Sequence, residues 1–507
     1  MLGVTAGQLD ALSQDPTVDH LSSDALVHSS GLTAEAIGAD QAWAGGGSLP
    51  PLTGAGIGVA VIDSGIDTRH VAVAGRVIAT RDFIGGDGSD AYGHGTHVAA
   101  LIAGQSGPTA DTAAYQGIAP GARLINLRVL DGTGAGKVSD VIDAIDWAID
   151  NKRAYNIRVI NLSLGAPVLQ SYKDDPLCEA VERAVSAGIV VVAAAGNYGV
   201  SKDGALIFGG ITSPGNDPAA LTVGAVDMHD TARRSDDTVA PYSSKGPTLY
   251  DLALKPDLVA PGSRLVSAES QGSYLSTRYP EKHVAGAGAG AYMALSGTSM
   301  AAGVASGAVA LLLDQKPSLT PAGAKAILQL SSGQLHDTGL VAGGAGELNS
   351  LAALSLANGS SSAGKALRYA RIDSELVNIS GITSSQAGVK ELLARNAIPS
   401  SIVWGNAWQA PVVWGDSIVW DNSIVWGNSI VWGNSIVWGT SIVWGNSIIW
   451  GNSIIWGNTA DSIVWGNTSE SIIWGNSTEA LVRGEAIVWG SADSIVWGNV
   501  ESIVWGN

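Results

Sequence analysis

IGVAVIDSG, residues 57–65, opens the part of the chain whose reading decides the fold. It is a short apolar run closed by Asp63-Ser64-Gly65. Four runs of the same kind follow: ARLINLRVLD (122–131), IRVINLSLG (157–165), IVVVAAAGN (189–197) and ALTVGAVD (220–227). Between them lie HGTHVAALIAG, VSDVIDAIDWAIDNK and CEAVERAVSAG, with apolar residues three to four apart, the period of a helix with one buried face. Strands apolar on both faces and separated by helices predict an α/β fold, a parallel sheet flanked by helices and joined by right-handed crossovers. The segment from Thr298 through AAGVASGAVALLLDQ is apolar almost all round, which predicts a buried helix. LTPAGAKAILQLS and ELNSLAALSLAN add two more helices. The regularity ends at Gly359-Ser360-Ser361-Ser362, a domain boundary.

Outside this region the text changes. Of 17 tryptophans only Trp43 and Trp147 precede residue 404, and from Ser401 the chain repeats SIVWGN, SIVWDN, SIVWGT and SIIWGN. The 507 residues therefore divide into an N-terminal piece (1–28), a regular region (31–358), a linker (359–400) with one predicted helix at GVKELLARN, and a repeat tail (401–507). With 46% hydrophobic and 14% charged residues the chain can bury a large core. A net charge of −18 repels phosphate backbones, which argues against nucleic acid as a partner. Cys178 is the single cysteine, so neither an internal disulfide framework nor a thiolate zinc cluster can form. No apolar run reaches the ~18 residues of a membrane-spanning helix.

Acyl transfer needs a nucleophile, a base, a carboxylate to orient the base, and donors for the oxyanion. In open parallel sheets such groups gather at the carboxyl ends of strands. Four residues qualify: Asp63 after GVAVI, His94 in Gly93-His94-Gly95-Thr96-His97, Asn197 at the end of VVVAAAG, and Ser299 in Ser296-Gly297-Thr298-Ser299-Met300. Singly, each has a plainer role. Asp63 can close a turn, His94 can be a loop residue, Asn197 can bond its own turn, and Ser299 is a good helix N-cap. His97, on the following helix, reads as structural. Four such residues occurring together are far less easily explained away.

At this point the chain resembles the subtilisin-like serine proteases. The likeness rests on VAVIDSGIDTRH around Asp63, GHGTHVA around His94, INLSLG (161–165 at its end), AAAGN ending at Asn197, SPGNDPAALTVGAVD (213–227), YSSKGP (242–247), KPDLVAPG (255–262) and SGTSMAA around Ser299. The order Asp, His, Ser is that of subtilisin. The resemblance implies that Asp63 holds His94 in one tautomer, that His94 acts as base and then acid near its ordinary pKa, and that Ser299 is the nucleophile. It implies that Asn197 and the Ser299 N–H hold the oxyanion. It further implies two backbone edges for an extended substrate, Gly134-Ala135-Gly136 and Ser163-Leu164-Gly165, an open apolar pocket by AAAGN and Gly165, and a cis proline at Pro214. No cofactor is required for such chemistry. Structural calcium is an open expectation: the loop GQSGPTADTAAYQG lacks the Asn-rich pattern of calcium-binding relatives, and Asp82 is the one candidate ligand. Gly303 stands where relatives carry proline and is expected to loosen the first turn of its helix.

Residues 1–28 resemble the last helix and strand of an inhibitory propeptide, a complete one needing more chain upstream. Secretion or a cell-surface location is expected although no signal peptide is present. In the tail, Ile and Trp of SIVW share one face of a strand, and Gly-Asn suits a turn. Stacked parallel coils, a β-solenoid, are expected; short hairpins or a conditionally ordered, aggregating chain are the alternatives. Such a tail could bind a cell surface, glycans or itself, or act as a spacer. The expected function is a serine endopeptidase of broad specificity acting on polypeptides. The rivals are a surface adhesion or assembly protein with an inactive protease-like domain, and a module that only docks peptides.

Overall fold

The computed structural model describes residues 32–45, 49–333, 335, 338 and 340–357, and strands between 369 and 505 as backbone. The propeptide-like segment 1–28 and the helix expected at 388–396 lie outside the described residues.

The five apolar runs all become strands: β1 (Gly58–Asp63), β3 (Arg123–Arg128), β4 (Ile157–Leu162), β5 (Val190–Ala194) and β6 (Leu221–Asp227). With β2 (Val77–Asp82), β7 (Thr238–Val239) and β8 (Leu258–Pro261) they form one sheet in the order β2-β3-β1-β4-β5-β6-β7, with β8 also on β6. All pairings are parallel except β6 with β7. The alternation of a strand sorts β1 between two layers. Val59 and Val61 pack with helix α1 (His94–Ala103) and helix α5 (Thr298–Gln315). Ala60 and Ile62 pack with α2 (Val138–Asp150) and α3 (Pro176–Ser186). Both faces are sealed, so every β1 side chain is buried. Burying one such Ile or Val side chain is worth ~1.5–3 kcal/mol.

A small antiparallel sheet, β9 (Leu265–Ala268), β10 (His283–Ala285) and β11 (Tyr292–Leu295), leads into α5, with the short helix α4 (Tyr274–Arg278) in the loop between. Helices α6 (Pro321–Ser331) and α7 (Ser350–Ala357) complete the layer. Helix α5 is continuous through Gly303. A Cβ there would lie 3.4 Å from Val98 and 3.6 Å from Leu101 side-chain atoms. The glycine therefore sits at the α1–α5 contact.

Within 359–400 an antiparallel pair joins Tyr369–Ile372 to Glu375–Asn378. In the tail, strands alternate between an eight-stranded and a seven-stranded ladder. Partners run parallel and in register: Ser417 with Ser429, Ile430 with Ile442, Trp432 with Trp444. Hairpins would have paired neighbouring repeats antiparallel; here each repeat pairs with the next but one, as stacked coils require.

Candidate active site

β1, β4 and β5 are neighbours in the sheet, and the chain leaving each carries a candidate group. Asp63 ends β1, Ser163 follows β4, and Asn197 follows β5. His94 and Ser299 come from the first turns of α1 and α5, which pack on the same face. Strand ends and helix starts thus converge on one edge of the sheet.

Asp63 is buried, and its Oδ1 accepts the Ser64 N–H at 2.7 Å. His94 Nδ1 lies 2.8 Å from Asp63 Oδ1 and 3.0 Å from Oδ2. A carboxylate only accepts, so Nδ1 carries the proton and Nε2 is left as the basic nitrogen. Burial alone would lower the His94 pKa; the charge and hydrogen bond of Asp63 outweigh it and raise the pKa above its ordinary value. The sequence expectation of an unshifted histidine is corrected accordingly. α1 approaches β1 so closely that a Cβ on Gly95 would lie 2.2 Å from the Gly65 carbonyl oxygen. Only glycine fits there.

Asp90 was not singled out from the sequence. Its Oδ1 accepts Ser64 Oγ–H (2.8 Å) and Gly93 N–H (2.6 Å), and its Oδ2 accepts Thr96 N–H (2.8 Å) and Oγ1–H (2.6 Å). Ser64 Oγ in turn accepts the Gly95 N–H at 2.9 Å. These bonds satisfy orphan donors at the α1 start and fix the loop that carries His94. In sequence, an acid among Gly, Ser and Tyr reads as an ordinary turn residue.

Ser299 Oγ donates to the Ser163 carbonyl oxygen at 3.1 Å, and among the described hydrogen bonds it makes none to His94. The acid–base contact is formed, whereas the expected base–alcohol contact is replaced. A carbonyl at the end of β4 offers the hydroxyl an acceptor when no acyl group is present; such contacts tighten in substrate complexes. Ser163 Oγ donates to the Ser299 carbonyl at 2.8 Å and accepts from Asn161 Nδ2 at 2.9 Å, while Asn161 Oδ1 accepts Ser306 Oγ–H at 2.9 Å. This buried polar chain ties the nucleophile's backbone to β4.

Asn197 Oδ1 accepts the Thr298 N–H (3.0 Å) and Oγ1–H (3.2 Å). With its oxygen held, the side chain must present Nδ2 outward. A Cβ built on Gly297 would lie 3.5 Å from Asn197 Nδ2 and 3.7 Å from the Ser299 nitrogen. The Asn197 side-chain amide and the Ser299 N–H therefore both lie beside Gly297, next to Met300 Sδ.

At the proposed substrate edges, Ala135 O accepts from Asp131 N (2.8 Å) and Ala135 N donates to Asp131 Oδ1 (3.1 Å), so both Ala135 backbone groups are engaged internally. Gly165 is exposed, and a Cβ on it would lie 2.4 Å from Thr212 Oγ1. The Ser213-Pro214 bond is cis. His97 is buried between the Leu265 and Met293 carbonyls, and burial with the nearby His94 charge pushes it down to about 3, a structural histidine. Asp82 is engaged by Arg128 at 2.8 Å and by the Gly88 and Ile84 N–H groups. A carboxylate so neutralised does not fit a calcium ligand, and among the described residues no group of three His, Cys, Asp or Glu could hold a metal. No helix among the described residues is long and apolar enough to cross a membrane.

Comparison with known proteins agrees with this geometry. The Subtilase family profile matches residues 54–352. Serine protease AprX of Bacillus subtilis (strain 168) is 39% identical over 305 residues, 59% of this chain and 66% of that protein. Subtilisin E of the same organism is 35% identical over 314 residues, 61% of this chain and 69% of its own length. The alkaline protease of Alkalihalobacillus alcalophilus is 33% identical over 349 residues, covering 68% of this chain and 76% of itself. The chain spans about two-thirds of the length of these first two relatives. It belongs to the subtilase family of serine-type endopeptidases.

Proposed function

We propose that the chain cleaves extended polypeptides through an acyl-enzyme. Ser299 Oγ attacks the scissile carbonyl as its proton passes to His94 Nε2, and the new oxyanion is held by Asn197 Nδ2 and the Ser299 N–H. As the C–N bond breaks, His94 returns that proton to the leaving amine. Water then repeats the sequence and frees Ser299. Asp63 stays ionised and stabilises the imidazolium. The observation that carries this reading is the His94–Asp63 pair, its carboxylate buried, on a helix packed against the one whose first turn bears Ser299. This reading requires the Ser299 hydroxyl to turn from the Ser163 carbonyl to His94 Nε2 when substrate binds.

Substrate lies as an added strand between Gly134-Ala135-Gly136 and Ser163-Leu164-Gly165. The walls of the pocket, Gly165 and Ala195 to Asn197, bring no charge, which favours broad specificity. The chemistry uses no metal. The protein acts outside the cell or at its surface, with the repeat tail as a stalk or self-associating spacer. A fluorophosphonate probe tests the proposal. Labelling abolished by Ser299→Ala, with casein breakdown lost in His94→Ala, supports it; an unlabelled, correctly folded mature protein returns the inactive surface-protein reading.

A further inference from the structure

Three loops meet on a face that neither the core nor the proposed mechanism uses: 166–175 between β4 and α3, 198–210 between β5 and β6, and 247–253 between β7 and β8. Val200 and Leu206 bridge across the second loop, and Phe208 bridges to Lys245, just before the third. A Cβ on Gly209 would lie 3.0 Å from Leu249 Cδ2. Asp251 ties the third loop to the first by accepting Ser171 Oγ–H at 2.5 Å and Tyr172 N–H at 3.0 Å. On these joined loops Leu169, Leu206, Phe208, Leu249, Tyr250 and Leu252 are 46–78% exposed.

The backbone under two of them is strained. Tyr250 and Leu252 have φ of 64° and 51°, in the left-handed region that bulky side chains avoid. The loop is closed around them by Thr248, whose N–H donates to Ala253 O (2.8 Å), whose carbonyl accepts Leu252 N–H (3.1 Å) and whose Oγ1 accepts Ala253 N–H (3.0 Å). A loop that holds apolar side chains in water at the cost of strain marks a surface made to be covered. Six large apolar side chains exposed to this degree leave on the order of 600 Å² of apolar surface, more than the few hundred Å² that a monomer ordinarily carries in one patch. With its polar rim the face comes to the ~800 Å² per partner that a stable interface needs.

The rim narrows the choice of partner. Its exposed charges come as two adjacent pairs, Lys173-Asp174 and Lys202-Asp203, each summing to zero. Asp175 and Asp251, the other acids of these loops, are held by hydrogen bonds from Leu177 N and Ser213 Oγ and from Ser171 and Tyr172. A surface with the acidic excess of the whole chain, −18, would repel a second copy; a rim of paired opposite charges does not. Two copies related by a two-fold axis set each lysine of one rim near an aspartate of the other, while the apolar centres meet. We infer that this face is the interface of a homodimer, with Phe208 and Tyr250 as its apolar anchors.

Sedimentation equilibrium of the full chain tests this. From about 1 to about 100 µM the mass should rise from that of one chain to that of two. Phe208→Asp with Tyr250→Asp buries unpaired charge at the contact and should raise Kd at least about a hundredfold. Both positions are exposed, so the melting temperature at about 1 µM, where the parent is monomeric, should stay within about 2 °C of the parent and exclude misfolding. Lys173→Glu with Lys202→Glu leaves four like charges on the rim and should raise Kd about tenfold at low salt, less at high salt. A parent that stays monomeric across that range overturns the inference; protection of the 198–210 and 247–253 amides from exchange in that monomer would put another segment of the chain on the patch. Association undiminished by the two aspartates but lost in Ile442→Lys also overturns it, and places the contact on the repeat ladder.

Discussion

The chain builds parallel β-structure twice, by opposite rules. In 58–261 each strand has its own sequence, the order in space differs from the order in the chain, and helices make the crossovers. In 401–505 the rungs are near copies, each paired with the next but one in register. A sheet of unlike strands can bring an Asp, a Ser carbonyl and an Asn to one edge from three different sequences. A ladder of like rungs can only multiply one residue. Chemistry converges in the first region, and repetition dominates the second.

The sharpest way to break that contrast is to remove the converging groups. Ser299→Ala or His94→Ala should each cost about 10⁶ in kcat, the scale on which subtilisin itself responds. Asp63→Asn should cost about 10⁴, because an uncharged amide can turn its N–H₂ towards Nδ1 and hold His94 in the wrong tautomer. The pH profile carries the sign. His94 must be neutral to take a proton and its pKa is raised by Asp63, so kcat/KM falls as pH drops through a value above the ordinary 6.5. In Asp63→Asn that acid limb should move to lower pH. A limb that stays in place would mean that another group titrates there.

Asn197→Ala should cost about 10²–10³ in kcat, a range set by subtilisin's own oxyanion donor, with KM little changed. A rise in KM with kcat intact would make Asn197 a ground-state binding residue. The tail offers the opposite experiment. Ile442 pairs with Ile430 and Ile454 along one ladder, so Ile442→Lys sets a charge into a row of like residues. New proteolytic cuts near 442 should appear while peptide hydrolysis stays within twofold of the parent. An unchanged digestion pattern would count against the ladder.

Much of the first region was legible because its strands are buried on both faces, and continuous apolar runs ending at Asp63, Ser163 and Asn197 mark both strand and edge. What escaped the sequence was pairing. Asp82 looked free for calcium until Arg128, 46 residues on, proved to neutralise it. Asp90 gave no signal because its bonds to Gly93 and Thr96 look like an ordinary local turn, and the bond to Ser64, 26 residues away, depends on the fold. The contact of Gly303 with α1 gave no signal because local propensity does not reveal a neighbouring helix.

Buried carboxylates elsewhere in the first region show how a fold of unlike strands also gathers groups without chemistry. Arg234 Nε meets Glu347 Oε2 at 3.1 Å, and the buried carboxyl of Asp237 faces Glu347. Burial first, then the negative charge of Glu347, raises the Asp237 pKa far above the ordinary carboxylate range. The folded state then keeps a proton that the unfolded chain releases above about pH 4. Because the folded state binds more protons, this group makes stability fall as pH rises from that value. Asp237→Asn removes the titration and keeps the shape, so it should raise the melting temperature at pH 8 by about 2–4 °C for each kcal/mol relieved, with the gain fading towards pH 4. Equal destabilisation at pH 5 and pH 8 would instead mark Asp237 as an ionised partner of Arg234.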